Sequence, residues 1–94
     1  MDPHSTVHRA PSAAWRAIEG QVAIISTDVN RIRLLNAVGS YIWERCDGWT
    51  VEAIVAAVCR EFTVDPPMAA RDVEVFVGEL VQRGMMTTTP GGAE

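Results

Sequence analysis

The chain contains no lysine; all eight of its basic side chains besides histidine are arginine. Cysteine, histidine and phenylalanine occur twice each, and tyrosine once. Each shortage excludes something. Two cysteines cannot staple a disulfide-rich scaffold. Cys46 and Cys59 form no CxxC pair and each sits in an apolar helical pattern, so they read as two buried free thiols rather than a bridge. His4 and His8 both stand near the start of the chain, away from any cysteine cluster. They supply neither the roughly four ligands of a zinc site nor a Cys–His nucleophile pair. GxxxxGK[ST], GxGxxG and HExxH are all missing. No cofactor, no metal and no catalytic residue is therefore expected. No apolar run approaches the ~20 residues that a membrane span needs. No cationic stretch followed by an apolar one opens the chain. The expectation is a cytoplasmic protein without a membrane partner. The missing lysine itself carries no functional reading.

What is present fits one small domain. The chain has 94 residues and a mass of 10.3 kDa, and 48% of it is hydrophobic, enough for a core. Twelve carboxylates against eight arginines give a formal charge of −4. That balance disfavours binding through phosphate neutralisation, so no nucleic-acid partner is expected. A chain this short also falls below the usual size of a cofactor-binding α/β domain. A small adaptor or binding module is the first expectation.

Residues 1–13 are polar and mixed and read as a flexible N-terminal arm; residues 87–94 read as a flexible C-terminal tail. The single domain is expected over residues 14–86. Trp15–Ile18 is a short strand, Glu19-Gly20 a turn and Val22–Ser26 a second strand. Thr27–Asn30 reads as a further turn, and Arg31–Leu35 as a third strand. Asn36 caps a helix from Ala37 to about Cys46, with Gly48 just past its end. Thr50 caps a second helix from Val51 to about Phe62. Asp65 caps a third helix, with Pro66 at its first position and Gly84 after Arg83. Val73, Phe76, Val77, Leu80 and Val81 make its apolar arc. The expected fold is α+β and winged-helix-like: a three-stranded antiparallel sheet followed by three helices.

Two surfaces stand out as places for a partner. Arg31-Ile32-Arg33-Leu34-Leu35 carries a local charge of +2 in an acidic chain. An exposed strand edge is a template for another strand. The arginines either solubilise that edge or steer an acidic partner to it. On the third helix, Met68, Asp72, Val75 and Glu79 form a stripe beside the core arc, with Val75 turned off the core. The winged-helix shape also raises a DNA-binding regulator or a structural adaptor as an alternative. The third helix speaks against the duplex version, because Arg71 and Arg83 are outnumbered by Asp72, Glu74 and Glu79.

Across Val22–Met86 the motifs are Leu35-Asn36-x-x-Gly39-x-x-Ile42-Trp43, Asp47-Gly48 before Thr50-Val51-Glu52, Asp72-Val73-x-x-Phe76-Val77-x-x-Leu80, and Arg83-Gly84-Met85. In this order and spacing the chain resembles the PqqD-like proteins, small peptide chaperones also described as RiPP precursor recognition elements. Leu35 would close the strand into the core, and Gly39 would allow close approach of helix and sheet. The resemblance implies non-catalytic binding of the leader segment of a ribosomally made precursor peptide. The leader would add as a strand to the third β-strand and lie against the third helix. Backbone contacts would then come from Arg31, Ile32, Arg33, Leu34 and Leu35. Side-chain contacts would come from Ile32, Arg33, Leu34, Arg71, Asp72, Val75 and Glu79. The chain departs from the family at Asp28-Val29-Asn30, where a glycine is usual, at Arg33, where an aromatic is frequent, and at Met85-Met86. Val64-Asp65-Pro66 with Ala70-x-Asp72-Val73 looks like the standalone members of lasso-peptide clusters. The implied enzyme partner is a leader peptidase there, or a radical SAM enzyme in other members.

Overall fold

The computed structural model describes residues 2–26 and 31–90. Among the described residues six strands and three helices follow in the order β1 (Thr6–Arg9), β2 (Ala14–Ile18), β3 (Gln21–Ser26), β4 (Arg31–Leu34), α1 (Ala37–Arg45), β5 (Trp49–Thr50), α2 (Val51–Phe62), α3 (Pro66–Gln82) and β6 (Met86–Thr89). The expected sheet is the antiparallel β2-β3-β4, and the three expected helices follow it. The β2–β3 hairpin turns on Glu19 (φ 53°) and Gly20 (φ 81°), with Ile18 paired to Gln21. Positive φ at both central residues is what a two-residue hairpin matched to strand twist requires. The Thr27–Asn30 turn lies outside the described residues.

Local capping sets the helices. The Asn36 side chain accepts a hydrogen bond from Gly39 N–H at 2.8 Å, and Thr50 Oγ1 accepts one from Ala53 N–H at 3.1 Å. Asp65 departs from expectation: it precedes α3 but makes no side-chain capping bond. An N-cap side chain bonds the N–H of the second or third helical residue. Prolines at the first two positions remove one of those donors, and their fixed φ already presets the turn.

The ends of the chain correct the expectation of a loose arm and tail. Thr6–Arg9 pairs antiparallel with Met86–Thr89 on one side, while Thr6 and Val7 pair with β5 on the other. The second sheet is therefore β5-β1-β6, with the first strand of the chain at its centre. Val7 is fully buried in the core cluster with Val22, Ile24, Trp43, Val77, Leu80 and Met86. Arg9 ties this sheet to α1. Its guanidinium donates to the carbonyls of Trp43 (2.8 Å) and Glu44 (3.3 Å), acceptors that a helix end leaves free. Its backbone N–H donates to Asp47 Oδ1 at 3.0 Å.

Both cysteines are free, with Cys46 buried and Cys59 half-buried. Burial pushes the Cys46 thiol up to about 11, against the opposing pull of the Arg9 charge. At pH 8, iodoacetamide is thus expected to alkylate Cys59 and spare Cys46 until denaturant is added. The sign for stability follows from the same shift. The folded pKa lies above the unfolded value of 9.0, so the neutral thiol's stabilising share is complete below pH 9 and is lost as pH rises toward 11. Urea midpoints should fall between pH 8 and 10.5, and fall less in Cys46→Ala.

Candidate functional site

Strand β4 stands at the edge of its sheet. Its backbone has two sides, and one hydrogen bond fixes which is which: Leu35 N–H donates to Val22 O at 2.9 Å. In an antiparallel strand the N–H and C=O of one residue point to the same side, and the side alternates along the chain. Arg31, Arg33 and Leu35 thus bond toward β3. Ile32 and Leu34 turn their N–H and C=O groups to the open edge.

The side chains obey the perpendicular alternation. Leu35 is buried, so Arg33 shares the inner face, while Ile32 and Leu34 lie on the outer face at 69% and 65% exposure. This inverts the simplest reading of an Arg-Ile-Arg-Leu strand, in which charge would face water. The burial of Leu35 fixes the register, and a carboxylate on the neighbouring helix makes an inward arginine tolerable. Arg33 Nη2 donates to Glu79 Oε1 of α3 at 2.7 Å, with the two side chains 30% and 36% exposed. The second Glu79 oxygen lies 3.5 Å from Arg83. Arg33 Nε is buried without an acceptor among the described residues.

Between β4 and α3 runs a groove of about 480 Å³. Arg33 and Asn36 line it from the strand end, and Val38, Gly39 and Ile42 from α1. Arg71, Asp72, Val75, Phe76 and Glu79 line it from α3. Five of the expected residues therefore share one groove: Arg33, Arg71, Asp72, Val75 and Glu79. Three do not. The side chains of Ile32 and Leu34 point away on the outer face, and Leu35 belongs to the core. Met68 of the expected stripe lines a second, smaller cavity with Asp65, Pro66, Pro67 and Arg71. The apolar floor was not singled out from sequence as a binding surface, because an apolar residue on a helix arc reads as core whether or not a groove opens beside it. Gly39 holds the floor open. A methyl group there would lie 3.0 Å from Phe76 Cε1 and 3.2 Å from Asn36 Oδ1, so the close approach is to α3 and the cap as much as to the sheet.

Among the described residues no group of three or more His, Cys, Asp or Glu side chains could hold a metal ion. No described helix is long and apolar enough to cross a membrane.

The family model for coenzyme PQQ synthesis protein D (PqqD) matches residues 21–86. No curated protein matches the chain. Two solved structures are similar. TbiB1 in complex with the TbiA(beta) leader peptide gives a TM-score of 0.79 at 27% identity, over 93% of this chain and 98% of that one. A lasso peptide synthetase B1 complexed with the leader peptide gives 0.75 at 20% identity, over 89% and 98%. The second likeness is one of fold.

Proposed function

The chain belongs to the PqqD family, and from that premise we propose that it binds the leader segment of a ribosomally made precursor peptide and performs no chemistry on it. The leader adds as a strand to the open edge of β4, and its inward side chains enter the groove against α3. The observation that carries this reading is the juxtaposition of the two features. The N–H and C=O groups of Ile32 and Leu34 have no strand partner among the described residues, along an edge that borders a half-apolar groove. The similar structures support it, since both hold a leader peptide on this fold.

The bound peptide is handed to a maturation enzyme, and the gain is effective concentration at that enzyme. That enzyme is a lasso-type leader peptidase or a radical SAM enzyme. The setting is the cytoplasm, where ribosomal precursors are made. A duplex-reading role gains no support, since α3 carries a net negative charge on a groove wall.

An isotope-labelled sample titrated with the leader of a precursor encoded beside its gene tests the proposal. Binding is expected at micromolar affinity or tighter, with amide shifts concentrated at Ile32, Leu34 and the groove face of α3. Saturable binding that leaves those amides unmoved, or no binding at all, would overturn it.

A further inference from the structure

The groove wall on α3 has an order of its own. Arg71, Val75 and Glu79 recur every four residues and all line the groove. Four helical residues rise about 6.0 Å, and two residues of an extended strand advance about 6.6 Å. The helix stripe therefore keeps step with alternate side chains of an extended peptide laid beside it, the side chains that share one face.

The direction of the peptide can also be read. Arg33 meets Glu79, whereas Gly39, further along the chain, meets Phe76. From β4 into α1 the chain thus moves toward the N-terminal end of α3, opposite to the direction of that helix. Every pairing in the β2-β3-β4 sheet is antiparallel. A peptide added in the same sense runs parallel to α3 and passes Arg71 first, then Val75, then the Arg33–Glu79 pair.

The charges along that path differ in one respect. Arg33 and Arg83 both face Glu79. Arg71 has no ion-pair or hydrogen-bond partner among the described residues, yet it lines the groove mouth. Resting on the strand-addition reading, we propose that Arg71 selects leaders with a carboxylate side chain two residues before the apolar residue that packs on Val75 and Phe76. Asp72 sharpens the selection, since it stands about 100° round the helix from Arg71. An anion in step with Arg71 is held, and one displaced toward Asp72 is repelled.

The test is a randomised 12-residue peptide library displayed on phage and selected on three full-length proteins: wild type, Arg71→Glu and Ile32→Pro. Arg71 is exposed, so Arg71→Glu should fold, and circular dichroism checks that it does. Sequences recovered on Ile32→Pro as well are not bound at the edge and are set aside. The expected wild-type sequences carry Asp or Glu two positions before an enriched apolar residue. Arg71→Glu should instead enrich Lys or Arg at that position. A wild-type peptide made synthetically should bind Arg71→Glu at least tenfold more weakly. An apolar preference with no acidic position, or the same sequences on both proteins, overturns the assignment of Arg71 and leaves strand addition standing. Failure of wild-type protein to enrich any peptide over Ile32→Pro overturns both.

Discussion

Ile32→Pro is expected to abolish most leader binding while leaving the fold in place. Proline removes the residue's N–H, and its ring occupies the space where an added strand would lie. Inside a sheet both effects destabilise, but on the open side of an edge strand proline is tolerated. Parity along β4 puts the Ile32 N–H on that open side, because Leu35 donates inward to Val22. The native ladder therefore loses no hydrogen bond. The leader loses one hydrogen bond, of net value about 0.5–1.5 kcal/mol, together with the backbone approach that allows its neighbours. Affinity should fall by roughly tenfold to a hundredfold, about 1.4 to 2.7 kcal/mol. Ile32→Ala keeps the N–H and should bind nearly as wild type, since the side chain faces away from the groove. Arg33→Pro supplies the opposite control. Its N–H belongs to the β3 ladder and its side chain to Glu79, so this variant should lose stability itself. Fluorescence anisotropy of a labelled leader and thermal melts of the three variants separate the outcomes. Equal affinity of Ile32→Pro and Ile32→Ala would mean that the leader does not add to this edge.

The contrast between Ile32 and Arg33 shows how much of the site the sequence discloses. The strand, its place before Asn36 and its edge character follow from local signals: a β-forming run, a turn before it and a cap after it. The template edge and the α3 stripe are legible in the residues themselves, and the resemblance to PqqD-like proteins adds a leader peptide as the strand lying between them. What local pattern could not settle was which face the arginines take. Alternation alone puts Ile32 and Leu34 on one face and Arg33 on the other without saying which is wet. The answer depends on Leu35 being buried and on Glu79, which is distant in sequence, being available to Arg33. The same non-locality hid the floor of the groove. Val38, Ile42 and Phe76 satisfy the helical arcs of α1 and α3, and nothing in those arcs says that the arcs diverge at one end. Gly39 was legible as a site of close approach, but its neighbour, Phe76, comes from another helix. A +2 strand suggests attraction of an acidic partner, yet Arg33 is already paired to Glu79, and the groove cation left without a partner among the described residues is Arg71.

Deleting residues 1–9 gives the second large effect, this time on stability. Read from sequence, those residues belong to a flexible N-terminal arm. In the folded protein they contain the central strand of β5-β1-β6, so their removal strips both β5 and β6 of their partner. Val7 leaves the core, where it is fully buried. Burying a valine side chain is worth about 1.5–3 kcal/mol. The last carbonyls of α1 lose the Arg9 guanidinium, a charged donor whose hydrogen bonds are worth about 1.5–3 kcal/mol. Domains of this size hold only about 5–15 kcal/mol in total. The deletion is thus expected to leave a chain without a cooperative thermal transition. A milder variant keeps the claim measurable. Val7→Ala removes two buried methyl groups at a cost of about 1–2 kcal/mol. In a domain of 60–100 residues that is roughly 4–16 °C of melting temperature. Strands β1 and β6 are short, polar on one side and drawn from opposite ends of the chain, so neither carries a signal strong enough to be read alone. Each becomes a strand only when the other is present and the helical core holds the two ends together. A deletion variant that melts as wild type would show that β1 contributes nothing to the fold. A lowered midpoint in Val7→Ala would confirm that the sheet is part of the same cooperative unit as the groove.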